Sequence, residues 1–231
     1  ISRNWLRKIL DPALDISSGA LPFLGWGAIT VCGGLQARLF RISFSGELAF
    51  EIAVPTRYGD ALMRQLMAAG EEFDVVPYGT EALGVMRIEK GHVVGGELNG
   101  RATADDLGFG RMLSAKKRFV GDVLKDRPAL LEANRKQLVG IKPVDGTSQI
   151  PRGAQIVVNP TGARPVPIEG EVTSRCESPN VGMPIGLALI KDGRNRMGEK
   201  LIASSPVAGI DVKIKICDPV FVDPKGERLR G

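Results

Sequence analysis

The chain has 231 residues, of which 43% are hydrophobic and 25% are charged, so it has the composition of an ordinary globular protein and enough length for one large or two modest domains. Its formal charge of +5 is modest and its basic residues are scattered, which argues against a nucleic-acid-binding protein. No apolar run is long enough for a transmembrane helix, and the first residues lack a charged-then-apolar leader pattern. We therefore expect neither a nucleic acid nor a membrane as partner.

The cysteines and the single histidine limit the chemistry that this chain can carry. Cys32, Cys176 and Cys217 are odd in number, far apart in sequence and form no Cys-x-x-Cys pair. This pattern favours a reducing compartment, so we predict a cytoplasmic protein without a structural zinc. The lone His92 also excludes most metal sites and Ser-His-Asp schemes unless a partner chain supplies the other groups. We therefore assign no metal site.

The pattern in the first third of the chain predicts a short helix followed by two strands. A short helix over residues 5–10 ends at Asp11-Pro12, and a glycine-rich stretch follows. Strand-like runs over residues 39–44 and 48–54 are joined through Ser45-Gly46-Glu47, which predicts a hairpin or two adjacent strands.

The next elements complete an α+β pattern. Apolar residues recur at helical spacing over residues 62–67 and again over 82–88, and the two helices end at Gly70 and Gly91. A short strand over residues 73–76 is predicted between them. The order strand, strand, helix, strand, helix is typical of an α+β domain.

The second half of the chain has a different pattern of apolar and turn residues. Thr103, followed three positions later by Asp106, predicts a helix start. Beyond Arg135 the sequence consists of short apolar runs bounded by turn residues, which is typical of a small barrel or sandwich. These runs cover residues 137–141, 155–158, 170–173, 185–190, 200–203 and 212–216. We predict a boundary near residue 134, giving domains of residues 1–134 and 135–231.

Two charged residues, Glu51 and Arg87, lie inside otherwise apolar elements, and burial of either side chain requires a partner. Strand alternation puts Glu51 on the same face as the small residues Ala49 and Ala53, which leave room beside the carboxylate. A carboxylate can accept hydrogen bonds from the amino group and ring N–H of a pterin, and Arg87 would add donors for an acceptor on the same ring. Alternatively, the two residues are exposed or form a structural ion pair.

Several motifs in order resemble one protein family. The run from Arg41 to Glu51 contains Gly46-Glu47-Leu48-Ala49-Phe50-Glu51 and is similar to the Gly-Glu-x-x-aromatic-Glu signature of the aminomethyltransferase family, to which the glycine-cleavage T-protein, dimethylglycine dehydrogenase and the sarcosine oxidase alpha subunit belong. Further matches are Pro77-Tyr78-Gly79-Thr80-Glu81-Ala82, Arg87-Ile88-Glu89-Lys90-Gly91, Thr103-Ala104-Asp105-Asp106-Leu107-Gly108, Val172-Thr173-Ser174, Ser178-Pro179 and Ile185-Gly186-Leu187-Ala188-Leu189. Within the family, residues 43–51 and 77–81 most resemble the C-terminal region of the sarcosine oxidase alpha subunit.

The resemblance implies a fold and a site. The fold would be α+β, with an antiparallel-sheet and helix folate-binding domain, lacking its N-terminal part, followed by a small all-β barrel domain. The site would bind tetrahydrofolate, with Glu51 holding the pterin and Arg87 beside it. Glu97 stands where the family commonly has glutamine or a similar residue. The family's acidic residue near the reactive folate nitrogen would lie upstream of this chain, so no catalytic residue is assigned.

The resemblance also implies a function. The chain would be part of a multisubunit sarcosine oxidase-like oxidoreductase, in which a flavin-bearing beta subunit oxidises sarcosine and this part transfers the one-carbon unit to tetrahydrofolate, giving methylenetetrahydrofolate. Flavin and NAD are expected only on parts of the complex outside this chain. Two other hypotheses stay open: a stand-alone aminomethyltransferase of the glycine-cleavage type, and a non-catalytic interaction fragment of the same fold.

Overall fold

The structure is a computed structural model that describes residues 1–12, 14–162 and 164–230. These residues group into two compact units by their internal contacts. The first unit contains Ile1–Leu83 and Lys225–Gly231, and the second contains Gly84–Pro224. Residues 84–134 therefore group with the strands that follow them, and the domain boundary near residue 134 stays a prediction.

Regular elements occur throughout both units. The helices are α1 Ser2–Arg7, α2 Gly59–Gly70, α3 Thr80–Glu89 and α4 Glu227–Arg230. The strands are β1 Trp26–Val31, β2 Leu35–Phe40, β3 Glu51–Ala53, β4 Lys136–Pro143, β5 Gln155–Val157, β6 Gly170–Ser178, β7 Met183–Lys191, β8 Lys200–Ser205 and β9 Ile210–Cys217. Short 3-10 turns cover Thr56–Tyr58, Glu71–Phe73, Gly110–Met112, Asp122–Asp126, Pro128–Leu130 and Gly193–Arg196.

In the first unit, a three-stranded antiparallel sheet in the order β1-β2-β3 packs one face against helices. The strands alternate, so that Ile29 and Leu39 point into the core while their chain neighbours point away. Leu6 next to the sheet and Leu62 of α2 belong to the same buried cluster. Burying an aliphatic side chain of this size stabilises the fold by about 1.5–3 kcal/mol, so this cluster fixes which face of the sheet stays accessible.

The strand boundaries in this unit differ from those expected. Strand β1 was not predicted. Strand β2 begins and ends earlier in the chain than the predicted run 39–44, and β3 is shorter than the predicted run 48–54. The two paired strands are linked by the connection of residues 41–50 rather than by a tight turn at residues 45–47. Within the connection, the main chain finds other partners. Arg41 exchanges backbone hydrogen bonds with the segment at Leu24 and Gly25, and Gly46 N–H donates to Ser43 Oγ at 3.0 Å.

The predicted strand over residues 73–76 was wrong. A 3-10 turn ends at Phe73, and Asp74 then adopts a left-handed conformation with φ of 51°. Helix α2 ends at Gly70 as predicted, but the glycine is required by close packing rather than by a left-handed cap. A Cβ at Gly70 would lie 2.9 Å from Val75 Cβ and 3.2 Å from Trp5 Nε1. The left-handed residue after α2 is therefore Asp74 and not Gly70, where the sequence indicated it.

In the second unit, six antiparallel strands form a closed barrel in the order β4-β7-β6-β5-β8-β9. All six coincide with the apolar runs in the sequence, so the predicted barrel is confirmed. Alternate residues such as Val139, Ile156 and Ile214 point inward and are fully buried. Closure pairs every strand on both sides, which leaves no open sheet edge in the barrel.

Strand β7 is buried on both of its faces. Ala188 and Ile190 point into the barrel interior, whereas Leu187 and Leu189 point outward. The outward residues pack in a second cluster with Ile88 of α3. This double burial explains why residues 185–190 read as a continuous apolar run rather than an alternating one.

Candidate functional site

Glu51 is the first residue of β3, and its side chain is exposed. Its neighbours Phe50 and Ile52, together with Val54, are partly buried against the core of the first unit. Alternation therefore turns the Glu51 carboxylate to the opposite face of the sheet, as the sequence pattern predicted. Among the described residues, no side chain forms a hydrogen bond or ion pair with Glu51 that would occupy its carboxylate.

Two aromatic rings lie in the same row of the sheet as Glu51. Phe40 is directly opposite Glu51 in the β2–β3 pair, and Trp26 is directly opposite Phe40 in the β1–β2 pair. Directly opposed residues share a face of the sheet. The two rings are stacked, with centroids 6.4 Å apart and planes inclined by 29°, and Trp26 is 64% exposed.

The next row on this face consists of Ala28, Arg38 and Ala53, which are also directly opposed across the three strands. We call these two rows the outer sheet face. Its six residues are Trp26, Ala28, Arg38, Phe40, Glu51 and Ala53. The two alanines add little bulk, and Arg38 contributes an exposed positive charge two positions from Phe40.

This arrangement suits a flat heterocycle that carries several hydrogen-bond donors. The ring stack offers a planar apolar surface, and aromatic pairs of this kind are worth about 0.5–1.5 kcal/mol beyond area burial. The Glu51 carboxylate offers two acceptor oxygens at the edge of that surface. The exposed Trp26 ring, stacked on the half-buried Phe40 ring beside an exposed carboxylate, is therefore a candidate ligand site within the first unit.

Arg87, the second predicted site residue, lies in the second unit and is 8% exposed. Its Nη1 donates to the His92 carbonyl at 3.2 Å and to Glu97 Oε2 at 3.4 Å, and its Nη2 donates to Ser174 Oγ at 2.6 Å. Glu97 is fully buried and also accepts hydrogen bonds from Ser174 Oγ at 2.6 Å and from Val94 N–H at 2.8 Å. Arg87 thus takes part in a buried ion pair, but its partner is Glu97 and not Glu51, so the expected alternative of an ion pair between Glu51 and Arg87 is not what the structure has.

A β-bulge in β6 brings Ser174 to this ion pair. Val172 is opposite Ala188 and points into the barrel, but the register shifts at the next residue and Ser174 is opposite the outward-pointing Leu187. Without the shift, strict alternation would keep Ser174 on the inner face with Val172. The extra residue, Thr173, donates its hydroxyl to the Leu187 carbonyl at 3.1 Å. The bulge therefore re-aims one polar side chain toward Arg87 and Glu97.

Glu51 and Arg87 belong to different compact units, so each assignment depends on its own surroundings. Glu51 is accessible and its carboxylate is available to a ligand. Arg87 is buried and much of its guanidinium is already engaged. Both remain proposed folate-binding residues.

Asp106, which is buried, forms an ion pair with the partly buried Arg135 in the second unit. Arg135 Nε donates to both carboxylate oxygens at 3.1 and 3.0 Å, and Arg135 Nη2 donates to Oδ2 at 2.5 Å. Thr103 and Asp106 also exchange the reciprocal hydrogen bonds of a capping box, although turns rather than a helix follow. Burial by itself would raise the pKa of Asp106, but the hydrogen bonds from Arg135 and Thr103 outweigh it and hold that pKa below its usual value.

Asp106→Asn is expected to lower the free energy of unfolding by about 1–3 kcal/mol at neutral pH, because Arg135 loses its charged partner. A carboxyl group with a lowered pKa in the folded state stabilises above its unfolded pKa of about 3.9, and this contribution is lost as pH falls through the folded pKa. The difference in the free energy of unfolding between the parent and Asp106→Asn should therefore become smaller below roughly pH 4. Urea denaturation at a series of pH values measures it, with the exposed Asp105→Asn as control. A constant difference down to pH 3 would contradict this assignment.

Near Asp106, a cavity of about 700 Å³ is lined by acidic and apolar residues, among them Asp105, Glu132 and Leu131. Its one lining arginine, Arg135, is already bonded to Asp106. Over residues 1–12, 14–162 and 164–230, no group of three or more His, Cys, Asp or Glu side chains is arranged to hold a metal ion. The outer sheet face therefore remains the better candidate for a ligand.

Comparison with known proteins identifies the family. A model described as the GCVT N-terminal domain matches residues 1–117, and one described as the glycine cleavage T-protein C-terminal barrel domain matches residues 136–223. The chain belongs to the glycine-cleavage T-protein family. The predicted family is thus confirmed, and so is the predicted fold of a T-protein-like domain followed by a barrel.

Two similar members of the T-protein family are described as sarcosine oxidase subunit alpha. The protein from Rhizobium meliloti (strain 1021) is 46% identical over 230 residues, which are 99% of this chain and 23% of that protein. The protein from Corynebacterium sp. (strain U-96) is 42% identical over 233 residues, 100% of this chain and 24% of that protein. The chain therefore spans about a quarter of the length of these relatives.

Aminomethyltransferases of the T-protein family are similar over a larger share of their own length but at lower identity. The one from Streptomyces avermitilis is 32% identical over 219 residues, covering 93% of this chain and 54% of that protein. A solved structure, of glycine cleavage system aminomethyltransferase T from Bartonella henselae, aligns with a TM-score of 0.65 and 23% identity over 81% of this chain and 50% of that chain. This structural likeness supports the T-protein fold.

The sequence reasoning missed three residues of the outer sheet face and of the surroundings of Arg87. Trp26 and Phe40 lie on the outer sheet face, and a signal was present for the strand that carries Trp26, because Trp26-Gly27-Ala28-Ile29-Thr30-Val31 ends in three consecutive β-branched residues, which favour a strand. Ser174 carried no comparable signal, since its orientation depends on the bulge.

Nowhere in the described part of the chain does a helix combine the length and the apolar character needed to cross a lipid bilayer.

Proposed function

We propose that this chain binds tetrahydrofolate on the outer sheet face and is the folate-binding part of a sarcosine oxidase alpha subunit. One observation supports the proposal above all. The accessible carboxylate of Glu51 lies in a single row with the half-buried ring of Phe40 and the exposed ring of Trp26 stacked on it. The relatives described as sarcosine oxidase subunit alpha, at 46% and 42% identity, support the choice of this member of the family.

The residues present fit the chemistry of a reduced pterin. Its amino group and ring N–H are donors, and the Glu51 carboxylate can accept both with the added strength of a charged acceptor. The rings of Trp26 and Phe40 would contact the pterin face and exclude water from it. Ala53, next to Glu51 along the same face, leaves space for the ring edge.

We also propose Arg87, a residue of the second unit, as a folate-binding residue in its own right, on the resemblance to the family. A guanidinium carries more N–H donors than the three hydrogen bonds to His92, Glu97 and Ser174 use, so it retains capacity for an acceptor atom of the ring. Its 8% exposure limits that capacity to one edge of the side chain. The surroundings of Glu51 are therefore the main support for the proposal, and those of Arg87 are a secondary support.

The proposed reaction divides between subunits. A flavin on another part of a cytoplasmic complex, which includes a beta subunit, would oxidise sarcosine, and the oxidation belongs to that cofactor. Tetrahydrofolate supplies the nucleophilic nitrogens that take up the one-carbon unit, and methylenetetrahydrofolate is the product. The residues of this chain would act by fixing the ring, because a held reactant avoids much of the entropic cost of a bimolecular encounter.

Glu51→Gln is expected to raise the Kd for tetrahydrofolate about tenfold to a hundredfold, because the charged acceptor is lost while the shape of the side chain is kept. Calorimetric titration of the 231-residue chain measures the Kd. Glu71→Gln is the matched control, since Glu71 is also exposed and in the first unit but lies away from the sheet in the turn Glu71–Phe73. Its Kd should equal that of the parent chain.

Two outcomes would contradict the proposal. Equal Kd values for the parent chain and Glu51→Gln would remove Glu51 from the site. A parent chain that gives no saturable heat with tetrahydrofolate would favour a non-catalytic interaction fragment of the same fold.

The aminomethyltransferase relatives favour a second candidate function, that of a stand-alone enzyme of the glycine-cleavage type. That enzyme would release ammonia from the aminomethyl group of a lipoyl carrier protein. An assay of ammonia release with the protein that contains this chain distinguishes the two functions, and release at a catalytic rate would favour the aminomethyltransferase.

A further inference from the structure

The C-terminal segment Lys225–Arg230 packs within the first unit, far in sequence from the residues that it contacts. It contains α4, whose Leu229 is 9% exposed, and the preceding Gly226 is buried. The segment is therefore anchored by an apolar side chain and not only by its charged residues.

Arg41 connects this segment to the start of the connection of residues 41–50. Arg41 is 1% exposed, and its guanidinium donates to two main-chain carbonyls, those of Leu21 at 3.0 Å and of Arg230. Its Nε is buried without a hydrogen-bond partner, and no carboxylate of the described residues forms an ion pair with it. Removing one of the carbonyl oxygens that bind a buried cation destabilises the fold, because the cation then lacks a hydrogen-bond partner.

Arg228 provides a second link to the same connection. Its Nη1 donates to Glu47 Oε1 at 3.0 Å, with both side chains about half exposed. An ion pair so open to water contributes little stability. It does, however, fix the middle of the connection relative to the C-terminal segment.

Other long-range links hold both ends of the connection, since the Arg41 main chain bonds to Leu24 and Gly25 and Phe50 packs against the core of the first unit. Ser2 Oγ donates to the Leu48 carbonyl at 3.2 Å, and the hydrogen bond from Gly46 N–H to Ser43 Oγ is local. No helix or strand lies between Phe40 and Glu51. The contacts from the C-terminal segment to Arg41 and Glu47 therefore add to the packing of Phe50 in setting where the chain enters β3.

We infer that the C-terminal segment Lys225–Arg230 is a positioning element for the ligand site, because it holds the connection of residues 41–50 from which Glu51 emerges. The inference rests on the proposed function insofar as Glu51 binds folate. Arg41 and Glu47 are positioning residues in this scheme, since they act on the site through the main chain that leads to Glu51.

The first test is a variant that ends at Pro224, compared with the full chain by hydrogen exchange with mass spectrometry and by calorimetric titration with tetrahydrofolate. We expect amide exchange over residues 41–53 to accelerate about fivefold or more, as for the loss of a hydrogen bond to a charged group. Exchange in the barrel strands β6 and β7 should not change. The Kd for tetrahydrofolate should rise by about fivefold or more in parallel.

A milder variant, Arg228→Met, removes the link to Glu47 but keeps the Leu229 anchor and the Arg230 carbonyl. It should accelerate exchange over residues 44–50 by about twofold to fivefold while exchange in α2 stays as in the parent, which separates positioning from general destabilisation of the unit. Unchanged exchange over residues 41–53 in both variants would overturn the inference, as would equal acceleration in α2 and the connection. If the parent chain binds no tetrahydrofolate, the proposed function fails, whereas the exchange data still decide whether the segment holds the connection.

Discussion

Replacing Arg87 by leucine is expected to lower the free energy of unfolding of the second unit by about 3–5 kcal/mol. The substitution would leave Glu97 charged and fully buried, with only the Ser174 hydroxyl and the Val94 N–H as donors. An uncompensated buried carboxylate is among the most destabilising changes that a single substitution can make. Urea denaturation followed by circular dichroism, together with hydrogen exchange in β6, measures the loss.

The choice of probe matters, because Trp5, Trp26, Tyr58 and Tyr78 are all in the first unit. Tryptophan and tyrosine fluorescence would therefore report on that unit and not on the barrel. Two units that unfold separately also violate a two-state analysis of the whole chain. Exchange rates assigned to individual strands avoid both problems.

Controls can separate the ion pair from a general effect of losing a charge. Arg152→Leu removes an exposed arginine from a loop of the same unit and should change stability by less than about 0.5 kcal/mol. The double variant Arg87→Leu/Glu97→Leu should be more stable than Arg87→Leu alone, because neither charge is then left buried by itself. If Arg87→Leu kept full stability but lost tetrahydrofolate binding, Arg87 would be a ligand residue rather than a structural one.

The barrel could be predicted from the sequence because each of its strands is encoded locally. In β9, for example, Val212, Ile214 and Ile216 are buried while Lys213 and Lys215 are exposed, so the pattern itself gives the strand and its inner face. Turn residues bound each run and set its length. The order of the strands, the closure of the barrel and the extension of β6 to Ser178 with its bulge required the structure.

The first unit was less predictable because distant contacts decide its strand boundaries. Residues 39–44 have the composition of a strand, but Arg41 donates to the carbonyl of Arg230, 189 positions later in the chain. The Arg41 side chain thus bonds to Arg230 and Leu21, its main chain bonds to Leu24 and Gly25 just before β1, and β2 ends at Phe40. A local pattern contains no information about such a partner.

The candidate site shows the same division between local and distant information. Alternation predicted that Glu51 would face away from the core, since its immediate neighbours decide this. Its aromatic neighbours Trp26 and Phe40 could not be predicted, because they depend on the register of three strands, one of which was not expected. The partners of Arg87 depend on the bulge at Thr173, which no periodicity indicates.

Ile214→Ala is expected to destabilise the second unit by about 2–5 kcal/mol, because Ile214 is fully buried in the barrel interior and a closed barrel cannot collapse readily around the cavity. Ile210→Ala is a matched control, since it makes the same substitution in the same strand β9 at a residue that is 46% exposed. We expect that variant to lose less than about 1 kcal/mol, because little apolar area leaves the interior. Urea denaturation by circular dichroism measures both variants. Equal losses in the free energy of unfolding for the two variants would contradict the assignment of Ile214 to the barrel core. The expected difference would follow from burial, since both variants replace an isoleucine of β9 by alanine.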